Sequence, residues 1–326
     1  MAWDDILEQD LAKRILQTHL ATGRVANAYL LTGPEGVGKR RMAWEMAKAL
    51  NCTAERERPC DACPVCAQIL RGTHPDVHAM SPSGASDQIR IDDIRHLISR
   101  IALRPFSARV QVAIIDGVQR LTEEAANSLL KALEEPPAHT RFLLLTSRLA
   151  HCLPTVVSRC QLIRCRPLSV GSIRQILLDA QACDPSTADA VAPLAGGSAS
   201  SAMDLAKRWA AYHAILSRLA SQESSAWMDQ PLPETRQELV HFLDGMMGWL
   251  RDLAVAAAAM PERIVHAAYK DALRRQANRI DVDRCLETAF ELVSLRESME
   301  QFVSPRLVAA LAREKWLSLQ PLTTNH

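Results

Sequence analysis

Aromatic residues are scarce: Phe, Trp and Tyr make up 4% of the 326 residues. Sandwich-type β proteins draw heavily on aromatic and β-branched side chains, so this scarcity, together with abundant Ala and Leu, favours a helix-rich protein. A surplus of one charge is also missing. Lys and Arg number 38 and Asp and Glu 37, a formal balance of +1. A chain that grips nucleic acid unaided carries a basic excess, so any such contact here is local or shared with partners. The segment from Met1 to Leu16 holds Asp4, Asp5, Glu8 and Asp10 and lacks the apolar core of a signal peptide. The longest apolar run, Leu253 to Met260, is too short to cross a bilayer. These absences point to a cytosolic protein. The rest, 48% hydrophobic and 23% charged, is ordinary for a soluble globular chain, and the length allows two or three domains.

What is present has a clear order. Up to about residue 165, short apolar runs alternate with helical stretches. Ala28 to Thr32, Val110 to Ile115 and Phe142 to Thr146 read as strands. A Gly-rich turn and an amphipathic helix from about Arg41 to Leu50 follow the first. A helix from Glu123 to Glu134 separates the other two, with Thr122 placed to cap it. Its apolar face is Ala125, Ala126, Leu129, Leu130 and Leu133, and Pro136-Pro137 ends it. Repeated strand–helix–strand units imply a parallel sheet with helices on both faces, an α/β fold. After Pro167 no strand is expected. Ser169 to about Arg208 reads as two short helices broken at Asp184-Pro185 and Gly196-Gly197. From Trp209 onward the spacing is helical almost throughout, with a polar loop over 221–233.

Two motifs carry chemistry. Gly33-Pro34-Glu35-Gly36-Val37-Gly38-Lys39 fits G-x-x-x-x-G-K between a strand and a helix. Glycines there let backbone N–H groups close on phosphate oxygens, and Lys39 can reach the terminal phosphates. The competing reading is a chance Gly-rich turn. A working loop places Ser or Thr next, for Mg²⁺; this chain has Arg40, a cation with no lone pair to donate. Asp116, ending the second apolar strand, stands where a carboxylate supports Mg²⁺, although alone it could be a simple turn residue. Four of nine cysteines, Cys52, Cys60, Cys63 and Cys66, are spaced C-x7-C-x2-C-x2-C. Four thiolates without His or carboxylate favour a closed structural Zn²⁺ site; an iron–sulfur cluster and a Cys60/Cys63 redox pair are the alternatives. The other five cysteines read as small hydrophobes.

The phosphate loop, the cysteine module, Gly72-Thr73-His74-Pro75-Asp76, the run Asn127 to Pro137 and Ser158-Arg159-Cys160 occur in that order. Together they resemble the bacterial DNA polymerase III clamp-loader family of AAA+ proteins over 1–167. The resemblance implies an AAA+ nucleotide-binding domain (1–167) with an inserted zinc module (52–66), a small helical lid (168–208) and a helical collar for oligomerisation (209–326). It implies a five-subunit assembly with tau/gamma motors and a delta subunit, which loads a sliding clamp onto primed DNA using ATP. It assigns nucleotide contacts to Gly33, Gly36, Gly38, Lys39, Asp116 and Thr146, the last as a sensor. It assigns Arg159 the role of a finger reaching the neighbouring subunit's nucleotide.

Against that pattern three groups are missing. Arg40 replaces the Mg²⁺-binding hydroxyl. Gly117 replaces the Glu that polarises water in AAA+ motors. The Gly197 to Ser201 stretch lacks the family's sensor Arg. The expectation is a non-hydrolysing member that can still hold phosphate and has no catalytic activity of its own, within the polymerase holoenzyme, a nucleotidyltransferase complex. The alternatives are an active motor of the same family and a zinc-dependent DNA-binding module.

Overall fold

A computed structural model describes residues 3–55, 58–83, 87–221, 231–298 and 304–319. The chain divides into two compact units, one of 1–176 with 196–201 and one of 177–195 with 202–326. In the first, the order is α1 (Asp10–Thr22), β1 (Ala28–Thr32), α2 (Lys39–Asn51), α3 (Pro64–Leu70), β2 (Val77–Met80), α4 (Ile91–Ile101), β3 (Gln111–Asp116), α5 (Glu123–Glu134), β4 (Thr140–Thr146), α6 (Pro154–Val157) and β5 (Gln161–Arg164). The strands form one parallel sheet in the order β2-β3-β4-β1-β5.

Alternation along each strand builds two cores. Tyr29, Leu31, Val112, Ile114, Leu143 and Leu145 face α1 and α2, where Leu16, Met42 and Met46 are buried. Leu30, Ala113, Ile115, Phe142 and Leu144 face α4 and α5, against Ile94, Leu97, Leu129 and Leu133. Covered on both faces, β1, β3 and β4 read as unbroken apolar runs. The two strands that the apolar pattern does not reveal, β2 and β5, lie at the sheet's edges. Each pairs on one side only and carries polar residues such as His78, Gln161 and Arg164.

Helix α5 spans the expected residues, and the Thr122 hydroxyl accepts from the Ala125 N–H at 3.3 Å. Ala132 is buried in its face and Leu130 only half so. Helix α2 begins two residues before Arg41, because Gly38 turns left-handed at its start. The segment expected to hold two short helices holds three: Val170–Asp179, Pro185–Leu194 and Ala199–Lys207. The last buries only Ala202, Leu205 and Ala206, too weak an apolar pattern to declare itself in sequence. Asp184 caps the second by accepting from the Ser186 and Thr187 N–H groups, and Gly196 and Gly197, both left-handed, separate it from the third.

The second unit is helical, with no strand among its described residues. Its longest helix, Arg236–Ala257, opens with a Thr235/Glu238 capping box. Trp249 and Trp316 are fully buried there, and Trp249 Nε1 donates to Gln276 Oε1 at 2.9 Å. The polar loop expected over 221–233 lies largely outside the described residues.

One buried carboxylate ties the approach of β3 to the start of β2. Asp76 accepts from the N–H groups of Phe106, Ser107 and Ala108 at 2.7–2.8 Å. Burial opposes its ionisation, but those three donors outweigh it and hold the carboxyl below the ordinary aspartate range. Its contribution is therefore complete above the unfolded value of about 3.9 and drains away as pH falls through the lower folded value. Asp76→Asn is expected to lower unfolding free energy at neutral pH by about 1–3 kcal/mol. It should also flatten the acid limb of stability against pH, as read by denaturant titrations across pH 2–7; an unchanged acid limb would show that Asp76 carries none of it.

Candidate functional site: a phosphate loop beside a four-cysteine module

The loop Gly33–Lys39 leaves the carboxyl end of β1, beside the ends of β3 and β4. Register pairs Thr32 with Thr146, and Asp116 with Leu145. Three backbone positions in the loop need glycine. Gly33, Gly36 and Gly38 have φ of +150°, +69° and +101°. A Cβ on Gly33 would collide with the Cys165 carbonyl, and one on Gly36 with the backbone N and hydroxyl of Ser200. The Gly36 carbonyl accepts from the Ala199 N–H at 3.2 Å. Residues 196–201 thus cover the loop with Ser198 and Ser200, and neither contact has a signal in sequence.

Lys39 is buried at the first position of α2, and its Nζ donates to the carbonyls of Gly33 and Pro34 at 2.6 and 2.5 Å. Burial pushes its ammonium below the ordinary value, against the pull of Cys165, Asp116 and Glu35. Burial raises the Asp116 carboxyl, while the positive charges of Arg40 and Lys39 draw it back down. Arg40 is exposed and supplies beside Asp116 the positive charge that a divalent ion supplies in a working loop. Thr146 is buried; its hydroxyl donates to Gln119 Oε1 at 2.8 Å and accepts from the Arg148 N–H at 3.1 Å.

The cysteines lie at the far end of α2. Cys52 caps that helix and Cys63 opens α3. The sulfurs of Cys52, Cys60, Cys63 and Cys66 lie within 4.8 Å of one another. Four ligands at about 2.3 Å around one tetrahedral ion would stand about 3.8 Å apart, so the set fits a single metal. The Cys60 sulfur accepts from the Cys63 N–H and the Cys63 sulfur from the Cys66 N–H, each at 3.4 Å, which favours thiolates. Burial resists ionisation of Cys63, yet the N–H groups of Cys66 and Thr53 bring its pKa down to about 6. Buried Lys48 of α2 joins the module to the loop helix by pairing with Asp61 and, at 2.9 Å, with Glu45.

Arg159 stands apart from this group. It precedes β5, whose first residue pairs with Tyr29 and whose last pairs with Thr32. It is therefore at the amino edge of the parallel sheet, while the phosphate loop is at the carboxyl edge. Its guanidinium pairs with Glu134 and donates to the Thr155 carbonyl at 3.0 Å on an exposed surface.

A parallel sheet, a Gly-rich loop leading into a helix and residues converging at the strands' carboxyl ends define an AAA+-type P-loop unit. Residues 8–169 match the family described as DNA polymerase III, delta subunit. The tau subunit of DNA polymerase III from Salmonella typhimurium is 36% identical over 174 residues, 53% of this chain and 27% of that protein. The delta-prime subunit from Bacillus subtilis is 33% identical over 180 residues, 55% of this chain and 54% of that protein. The delta-prime subunit from Pseudomonas aeruginosa is 34% identical over 179 residues, 53% of each. A gamma subunit-related protein from Thermotoga maritima aligns over 92% of this chain and 99% of its own, at 18% identity and a TM-score of 0.45. Over residues 8–169 the chain matches the clamp-loader family of AAA+ proteins. It spans about a quarter to a half of the length of these curated relatives.

Gly117, where the motors carry Glu, is left-handed at φ +85°, and a Cβ there would lie 2.9 Å from Pro82 Cγ. Gly117→Glu is therefore expected to cost about 1 kcal/mol or more in stability. An unfolding midpoint equal to that of the parent chain would contradict this.

Proposed function

We propose that the chain serves as the delta-prime-type, non-hydrolysing subunit of a DNA polymerase III clamp loader. The observation that carries this reading is that the cradle persists while the groups for cleavage are gone. Loop glycines, Lys39 and Asp116 keep their places at the carboxyl edge, but a guanidinium stands at 40 and hydrogen at 117. Serine hydroxyls, not an arginine, face Gly36 from residues 198–200. Such a site can hold phosphate but has neither the metal hydroxyl nor the carboxylate to orient water. The motor reading draws on the tau-type relatives; it requires Mg²⁺-dependent ATP turnover by this chain.

In this reading Arg159 acts in trans. Its place at the edge opposite its own loop supports the role, because an arginine there is directed away from the phosphates its own chain could hold. Residues 168–208 serve as a lid and 209–326 as a collar; 168–176 and 196–201 of that lid belong to the first compact unit and the remainder to the second. Helix Val282–Ser298 exposes Val282, Leu286, Phe290 and Val293 at helical spacing, a surface suited to the motor and delta subunits. The sliding clamp and primed DNA are met through the assembly, in the cytoplasm. No helix among the described residues is long and apolar enough to cross a membrane. The cysteine module holds structural zinc. Sulfurs this close suit one ion better than a cluster of several irons, and the metal would lock the module against α2 through Asp61 and Lys48.

The assembled complex with Arg159→Ala should form normally yet lose ATPase activity by a factor on the order of 10³, while the isolated parent chain turns over no ATP. An undiminished rate in the assembled variant would refute the finger. Brisk turnover by the parent chain alone would refute the larger reading. Elemental analysis should return about one zinc per chain; iron would refute the assignment of the metal.

A further inference from the structure

In the clamp-loader reading Thr146 is the sensor of a terminal phosphate, yet its hydroxyl has no bond left to offer one. The residue adjoins the loop, since the Gly33 N–H donates to the Thr146 carbonyl at 3.3 Å. A hydroxyl has one proton and two lone pairs. At Thr146 the proton goes to Gln119 Oε1 at 2.8 Å. The lone pairs take the Arg148 N–H at 3.1 Å and the Cys152 thiol at 3.3 Å. Thr146 is 1% exposed, so these three bonds are shielded from water.

The orientation of the Gln119 amide is fixed from its other side. Gln119 lies on the short helical turn Val118–Arg120 that follows Gly117. Its Nε2 donates to the Ser147 hydroxyl at 3.2 Å, and that hydroxyl donates to Glu35 Oε1 at 3.4 Å. A carboxylate can only accept, so Ser147 directs its proton to Glu35 and receives from the amide nitrogen. The amide oxygen is then left facing Thr146. A chain of hydrogen bonds thus runs from Glu35, on the phosphate loop itself, through Ser147 and Gln119 to Thr146. Charge acts in the same direction. The carboxylates of Asp116 and Glu35 both act on Lys39, and Arg40 stands where the hydroxyl that holds Mg²⁺ is expected. A third phosphate would add negative charge beside those carboxylates, and residues 197–201 contain no arginine to meet it.

We propose that the loop holds a nucleoside diphosphate and does not read a third phosphate, with Gln119 as the positioning residue that keeps the Thr146 proton turned away. This rests on the non-hydrolysing clamp-loader reading and specifies the ligand of that same site. The diphosphate is a standing occupant of the cradle and not the product of turnover there.

Calorimetric titration of the full chain with ADP and with ATP, both in EDTA, tests this. The parent should bind ADP saturably and ATP no more tightly. Gln119→Leu removes the acceptor and makes the Thr146 proton available to a terminal phosphate, so ATP should gain roughly tenfold on ADP. Gln119→Ala repeats the measurement with a smaller side chain, should the leucine disturb the fold. Adding Thr146→Val to Gln119→Leu should erase the gain, an effect that a merely structural role for Gln119 would not produce. A parent that prefers ATP tenfold, a Gln119→Leu chain that binds the two nucleotides as the parent does, or a gain that survives Thr146→Val would each overturn the role of Gln119. Failure of ADP to bind the parent saturably would overturn the diphosphate ligand. None of these results touches the absence of hydrolysis, which only ATP turnover by the parent chain would contradict.

Discussion

Everything in the first unit depends on β1 being clasped in parallel between β4 and β5. Parallel pairing sends every strand's carboxyl end to the same edge, and there Thr32, Asp116 and Thr146 come together though they are far apart in the chain. The burial of β1 on both faces, with Tyr29 and Leu31 in one core and Leu30 in the other, holds that edge in place. The loop that follows has left-handed backbone geometry, which favours glycine, at three positions. The same parallel rule sends Arg159, which enters β5 from the other end, to the opposite edge.

Charge at the loop is arranged as in a metal site, without the metal's ligands. Asp116 is buried enough for its carboxyl to resist ionisation, and the positive charges of Lys39 and Arg40 compensate. A divalent ion beside Asp116 would meet the like charge of the Arg40 side chain, which acts on that carboxyl. Lys39, drawn by desolvation toward its neutral form, rests on two carbonyls of its own loop. Gly117 shows the same departure in the backbone: its left-handed conformation and the nearness of Pro82 make the missing carboxylate a matter of backbone geometry as well as side-chain identity.

The cysteine module and the phosphate loop share α2. Lys39 starts the helix and Cys52 caps its end, so a single rigid rod links the two sites. Lys48, inside that helix, holds Asp61 within the C-x2-C turn. Order in the cysteine turn is therefore coupled to the helix whose amino end forms the loop's far wall.

Much of this was legible in the residues because its physical cause is local. Glycines at fixed spacing between strand and helix, a Thr ahead of an amphipathic run and cysteines two apart all act within a few residues of themselves. The apolar runs of β1, β3 and β4 were equally plain, since strands covered on both faces have no polar side. The edge strands β2 and β5 were not, because half of each faces away from the core and its composition follows no single rule. Nor could residues alone bring Ser198 and Ser200 against Gly36 or give Thr146 the partner Gln119. By itself, the order of amino acids determined the kind of unit and put a guanidinium at position 40 where a hydroxyl is expected. Only the folded chain decided which distant groups meet at each edge, because a parallel sheet joins residues by register and not by their separation along the chain.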